Sequence, residues 1–160
     1  MTVEISDDPA TIHIPDLVAL FAGTWWAASR TEADTERILA GSDVVMTARD
    51  HNRTVGFARV LTDGIYLALI LDVIVAPGAR GTGVGVRLVD AVLAHPKVEG
   101  VRSVELVCQS DLVPFYERWG FTAEVGGSRL MRRTADPGLV SPRPSPSPSA
   151  SRPASPPRAP

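Results

Sequence analysis

The residues best suited to chemistry lie in the segment Val73-Ile74-Val75-Ala76-Pro77-Gly78-Ala79-Arg80-Gly81-Thr82-Gly83-Val84-Gly85. An apolar run of strand type enters a glycine-rich turn, and the turn opens a helix. Gly81, Gly83 and Gly85 stand at every second position, so the backbone can turn tightly and approach a ligand without a side-chain clash. The first N–H groups of the new helix have no intrahelical acceptor and converge on that turn, where the helix dipole favours an anion. Arg80 adds a fixed positive charge. The segment therefore reads as a phosphate cradle made mostly of backbone. It is not a nucleotide P-loop, which requires Gly-Lys-Ser/Thr where this chain has Gly85-Val86-Arg87. Nor do any three of its glycines have the G-x-G-x-x-G spacing of a dinucleotide site. Asp72 stands just before it, inside Leu71-Asp72-Val73. A charge within an apolar strand indicates either a function or a paired partner.

The elements that must position these residues follow from patterning. Val3–Ser6 has strand character and Asp16–Ala22 has helical spacing. Ser29-Arg30-Thr31-Glu32 fits a capping box with Ser29 as N-cap, opening a helix over about Thr31–Ala40 that Gly41 ends. Three extended runs follow, Asp43–Arg49, Thr54–Leu61 and Ile65–Val75, joined by the turn residues Asp50–Arg53 and Thr62–Gly64 as an antiparallel meander. Such a meander disfavours a parallel dinucleotide-binding sheet. From Gly83, Val84, Leu88, Val89, Val92 and Leu93 recur at three and four, an inward helical stripe that His95-Pro96 ends. Ser103–Cys108 is the next strand and Leu112–Trp119 a short helix closed by Gly120. Phe121–Val125 and Arg129–Arg133 are the last strand candidates, with Gly126-Gly127 as their turn. The order β-α-α-β-β-β-α-β-α-β-β describes a mixed α/β (α+β) domain with helices on the faces of its sheet.

The spacing Arg80-Gly81-Thr82-Gly83-Val84-Gly85 matches Arg/Gln-x-x-Gly-x-Gly/Ala. A second run, Val104–Cys108 followed by Leu112-Val113-Pro114-Phe115-Tyr116-Glu117-Arg118-Trp119-Gly120-Phe121, lies about 30 residues on. With these two motifs in this order, the chain resembles the GNAT family of N-acetyltransferases over nearly all of residues 2–133. The resemblance implies a central, twisted, mostly antiparallel mixed sheet of six to seven strands flanked by about four helices, with acetyl-CoA as cosubstrate.

What the resemblance implies can be carried over residue by residue. The backbone of Val73, Ile74 and Val75 would bind the acetyl and pantetheine amides as an added strand would. The main-chain N–H groups of Arg80, Gly81, Thr82, Gly83, Val84 and Gly85 would hold the pyrophosphate. Tyr116 matches the tyrosine that family members use as general acid for the departing thiolate, although it could instead pack its helix onto the sheet. Ser110 occupies the position where the family often carries an asparagine for the pantetheine arm. An alkyl amine must lose a proton before it attacks a thioester. Asp72 lies where relatives often carry an acid, with Glu105 on the next strand and bulk water as alternatives. Trp25 and Trp26 fall in the family's variable acceptor loop and could wall a pocket. Arg59 faces either the acceptor or solvent. Cys108 reads as a small buried residue.

Composition bounds the rest. Residues 135–160 contain nine prolines and six serines with no aromatic residue. Such a segment cannot bury enough apolar surface to fold, so the domain is expected at 1–134 with a disordered tail. The body carries a net charge of about −4, which argues against nucleic acid. One cysteine and three dispersed histidines, His13, His51 and His95, offer no disulfide and no metal site. The N-terminus lacks a signal-peptide pattern and no run is long enough to cross a membrane, so a cytoplasmic protein is expected, as a monomer or homodimer. The function expected is acetyl transfer from acetyl-CoA to a small-molecule primary amine by direct transfer in a ternary complex. A protein-amine acetyltransferase, a non-catalytic acyl-CoA-binding module, and a tail that docks through Pro153–Pro156 are the alternatives.

Overall fold

The computed structural model describes residues 2–140. They fall into two compact units, one up to Ser128 and one from Arg129 onward. The first holds the sheet and all the helices of more than one turn. In chain order these are β1 (Val3–Ser6), α1 (Ile14–Ala22), α2 (Glu32–Ala40), β2 (Val44–Asp50), β3 (Arg53–Thr62), β4 (Leu67–Val75), α3 (Val84–Leu93), β5 (Ser103–Leu106) and α4 (Val113–Tyr116). In the second unit, Pro137–Leu139 forms a 3₁₀ turn that Asp136 caps. The Pro/Ser-rich stretch expected as a tail lies mostly outside the described residues.

The sheet runs β1-β2-β3-β4-β5 in sequence order. The first three pairings are antiparallel and β4–β5 is parallel. This is the mixed, mostly antiparallel sheet expected, with five strands rather than six or seven. Phe121–Val125 and Arg129–Arg133 are not strands. Local turn bonds take the backbone donors a ladder would need: Glu124 N–H donates to Thr122 Oγ1 at 3.0 Å and Ser128 N–H to the Val125 carbonyl at 3.3 Å.

Strand alternation sends neighbouring side chains to opposite faces. Val44, Met46, Ala48, Ala58, Val60, Ala68 and Ile70 form one core with Val84, Leu88 and Val92 of α3. Val45, Phe57 and Ile74 form the other with Leu17, Leu20 and Phe21 of α1. Gly56 sets how closely α3 approaches the sheet. A Cβ there would lie 2.8 Å from Leu88 Cδ1 and 3.1 Å from Ala48 Cβ.

The helix after the first loop starts one capping box later than expected. Thr31, not Ser29, is the N-cap, and its partner is Asp34, not Glu32. The box in use overlaps the expected one, and Arg30 precedes the helix in an irregular segment from which its side chain reaches the sheet.

Candidate functional site

β4 is the element on which the site is built. Its pairing with β5 runs from Leu67↔Ser103 to Ile70↔Leu106 and stops there. β4 continues to Val75, still paired to β3 through Phe57↔Ile74 and Gly56↔Val75. Leu71–Val75 therefore has no β5 partner on its other edge. β5 ends two residues before the expected Cys108 for the same reason.

The parting coincides with a bulge. Arg59 faces Leu71 and Phe57 faces Ile74, so Ala58 alone opposes Asp72 and Val73. Asp72 has φ 56°, left-handed backbone that few residues other than glycine adopt and that Asp tolerates better than most. The extra residue changes the phase of the strand. Ile70 and Ile74 are four apart and in a regular strand would share a face, yet Ile70 packs with α3 and Ile74 with α1. The bulge delivers the Asp72 carboxylate to the α1 side.

There the carboxylate meets two guanidinium groups. Arg30 donates from Nη1 to Oδ2 at 2.8 Å and from Nη2 to Oδ1 at 3.1 Å, and Arg59 Nε donates to Oδ2 at 2.6 Å. The three side chains are 21%, 14% and 5% exposed for Arg30, Arg59 and Asp72. Arg30 is held further by cation–π contacts, 4.7 Å from the Phe21 ring centroid and 5.3 Å from that of Trp26. The backbone between α1 and α2 supports this. Successive turns, Thr24 N–H to Phe21, Ala27 N–H to Thr24 and Arg30 N–H to Ala27, carry the chain from α1 to Arg30 and bury Ala27. Of the residues read from sequence as site candidates, Asp72 and Arg59 are brought into contact and Trp26 is brought beside Arg30, the second arginine on Asp72. Trp25 is 45% exposed. Arg30 was not a sequence candidate. Its partner lies 42 residues away, so no local spacing could reveal it.

Beyond Val75 the chain makes a 3₁₀ turn at Pro77–Ala79 and enters α3 through Gly83. Gly81 and Gly83 have φ 75° and 86°, so both positions require glycine-like backbone. A Cβ built at Gly78, Gly81 or Gly83 meets nothing within 4 Å, so the turn opens outward and is not closed over by side chains. No side chain caps α3. Among the described residues no hydrogen bond takes up the N–H groups of residues 81–86; the first one taken is that of Arg87, by the Gly83 carbonyl at 3.1 Å. One expected donor does other work. Arg80 N–H donates to Pro77 at 3.3 Å and its Nε to the Val75 carbonyl at 3.1 Å, so Arg80 braces the turn. Thr82 Oγ1 donates to the Ala79 carbonyl at 2.7 Å.

α4 and its flanking 3₁₀ turns, Ser110–Leu112 and Glu117–Trp119, form the next wall. Phe115 reaches α3, 3.4 Å from where a Cβ on Gly85 would stand, and Trp119 Nε1 donates to Asp90 of α3 at 2.7 Å. Tyr116 is 6% exposed among Phe115, Trp119 and Phe121. Burial pushes its hydroxyl up to about 12, with the neighbouring Cys108 thiol adding to the shift. The Cys108 thiol is itself raised, by burial and then by Asp111. Ser110 and Glu105 are exposed.

Among the described residues no helix is long and apolar enough to cross a membrane, and no group of three or more His, Cys, Asp or Glu could hold a metal ion. A mixed sheet that parts beside a bulged strand, with a glycine-rich turn into a helix at the end of that strand, is the layout of an acyltransferase-type domain. Residues 15–132 match the acetyltransferase (GNAT) domain model, and the chain belongs to the GNAT acetyltransferase family. A crystal structure from Xanthomonas campestris pv. campestris, described as a member of that family, is 35% identical with a TM-score of 0.76, covering 89% of this chain and 99% of its own. Serotonin N-acetyltransferase 2 of rice, a chloroplastic protein, is 31% identical over 106 residues, which is 64% of this chain and 53% of the rice protein. Histone acetyltransferase TAP1 of soybean is 32% identical over 82 residues, 51% of this chain and 36% of its own length. The chain thus spans about half or less of the length of these two plant relatives.

Proposed function

We propose that this chain transfers the acetyl group of acetyl-CoA to a primary amine of a small molecule, directly, with both substrates bound together. The observation that carries the reading is the row of untaken N–H groups at residues 81–86, in a turn with open space beside Gly81 and Gly83, following the unpaired β4 edge. That turn suits a diphosphate, and the Leu71–Val75 edge suits an amide-bearing arm that pairs as a strand would. Acetyl-CoA, when bound, supplies an activated thioester carbonyl.

The chain's own groups have separable tasks. The Val73–Val75 backbone orients the arm, and the 81–86 amides fix the phosphates. Tyr116 keeps its proton throughout the neutral range, because burial opposes its ionisation. As the C–N bond forms and the C–S bond breaks, its Oη donates to the leaving sulfur. A thiol is the stronger acid, so Tyr116 passes its proton to the sulfur only as it regains, through water, the one the amine gives up; the net transfer is from amine to sulfur. Asp72 is committed to two arginines and would have to break that ion pair to act as a base. The reading therefore gives it an organising role at the acceptor wall and leaves amine deprotonation to water. Ser110, exposed near α4, is available to the pantetheine arm.

Incubation with acetyl-CoA and an amine panel, with release of free CoA followed over time, tests the reading. Turnover on at least one amine is expected. Absence of turnover together with absence of acetyl-CoA binding by calorimetry rejects it. Two observations favour a protein amine as acceptor. Trp25 is half exposed on the acceptor loop, where it could contact a peptide chain, and one relative is named a histone acetyltransferase. Mass spectrometry of a treated lysate separates the two, since acetylated lysines appear only in the second case.

A further inference from the structure

We infer that the acceptor amine carries an anionic group, a carboxylate or a phosphate, and that the Arg59 guanidinium receives it; this rests on the acetyltransferase reading and names its substrate class. Charge count at the acceptor wall is the starting observation. Two guanidinium groups share one carboxylate in direct contact, and of the two only Arg30 also feels a second acid, Asp34, by a weaker and more distant attraction. All three side chains are largely withdrawn from water, so the unmatched positive charge is not cheaply screened.

The two arginines are not equivalent. Arg30 is fully committed, with both terminal nitrogens on Asp72 and its face over Phe21 and Trp26. Arg59 meets Asp72 only through Nε at 2.6 Å. Its two terminal nitrogens have no hydrogen-bond partner among the described residues. That edge of a guanidinium is the one that binds carboxylate or phosphate with two parallel N–H bonds. Asp72 fixes the Nε side, so the remaining fork is oriented before any ligand arrives. The bulge places this group beside the strand segment that would present the thioester. An anion on the Arg59 fork would therefore position an amine a few bonds away for attack.

Matched amine pairs that differ in one charged group test the inference: phosphoethanolamine against ethanolamine, and glycine against glycinamide. The full chain, saturated with CoA, is titrated with each by calorimetry. The anionic member of at least one pair is expected to bind tenfold or more tightly than its neutral partner. Arg59→Gln should abolish that advantage while leaving CoA affinity unchanged. Arg59→Lys keeps the charge but not the fork and should retain part of the preference, which separates lost recognition from lost folding. Equal or weaker binding of both anionic members, failure of every member to bind, or an undiminished preference in folded Arg59→Gln each overturns the inference. CoA binding and turnover on neutral amines would then still support the acetyltransferase reading; loss of CoA binding itself would strike that reading instead.

Discussion

Tyr116 and Asp72 show how burial and pairing assign different work to two ionisable residues. Tyr116→Phe is expected to lower kcat by about 10²-fold or more while leaving acetyl-CoA affinity nearly unchanged, as loss of a general acid would. Equal kcat in the two proteins would reduce Tyr116 to packing. Its proton affinity also has a stability consequence. The folded hydroxyl titrates at about 12 and a free tyrosine near 10.0, so unfolding releases its proton more readily above pH 10. The contribution is complete below pH 10 and disappears as pH rises toward 12. Alkaline melting curves of the wild type should therefore fall more steeply over that window than those of Tyr116→Phe. Asp72→Asn keeps a residue that tolerates the left-handed backbone but removes the charge between two guanidinium groups. A loss of about 3 kcal/mol is expected in denaturant titrations, the usual cost of orphaning a buried charge. A negligible loss would mean the arginines relax into solvent and that the network does not shape the wall.

At the scale of elements, two glycines have opposite reasons to be glycine. Gly56 is a contact residue. Gly56→Ala would drive a methyl group to 2.8 Å from Leu88 Cδ1 and is expected to cost about 1–3 kcal/mol by overpacking, visible as a lower denaturation midpoint. Gly83 has open space around it and a φ of 86°. Gly83→Ala is expected to weaken CoA binding by about tenfold, as losing one charge-assisted contact of about 1.5 kcal/mol would. Unchanged affinity by calorimetry would remove this turn from the phosphate site. The sequence made one of these glycines legible and hid the other. The alternate glycines after an apolar strand announced a tight turn into a helix, because that signal is local. Gly56 looked like any strand residue, because its neighbours come from β2 and α3. The same division holds for the site. Asp72 stood out as a charge in an apolar run, whereas Arg30 required the fold to bring it across. The capping box was visible in type, but its N-cap was placed two residues early, at Ser29 instead of Thr31. The missing strands beyond Phe121 were misread because period-two patterning is weak over five residues and local turn bonds compete with a ladder.

For the whole molecule, the matched domain model ends at residue 132, and the Pro/Ser-rich composition begins soon after. Removal of residues 141–160 is expected to leave both the melting temperature and CoA affinity unchanged, because that stretch contains no aromatic residue and little else to bury. A drop of several degrees, or a clear loss of affinity, would give the segment a structural part. The two faces of the sheet divide the labour of the whole. α3 and its core support the glycine-rich turn, while α1 and its core support the paired charges.

One inserted position joins these two halves. Upstream of Asp72, β4 directs its even-numbered side chains toward one core; downstream, it directs them toward the other. A single-codon deletion there would leave composition and hydropathy almost untouched. It would nonetheless invert every side chain from Val73 to Val75 relative to the helices beneath them, and no compensating point substitution could restore the lost half-step.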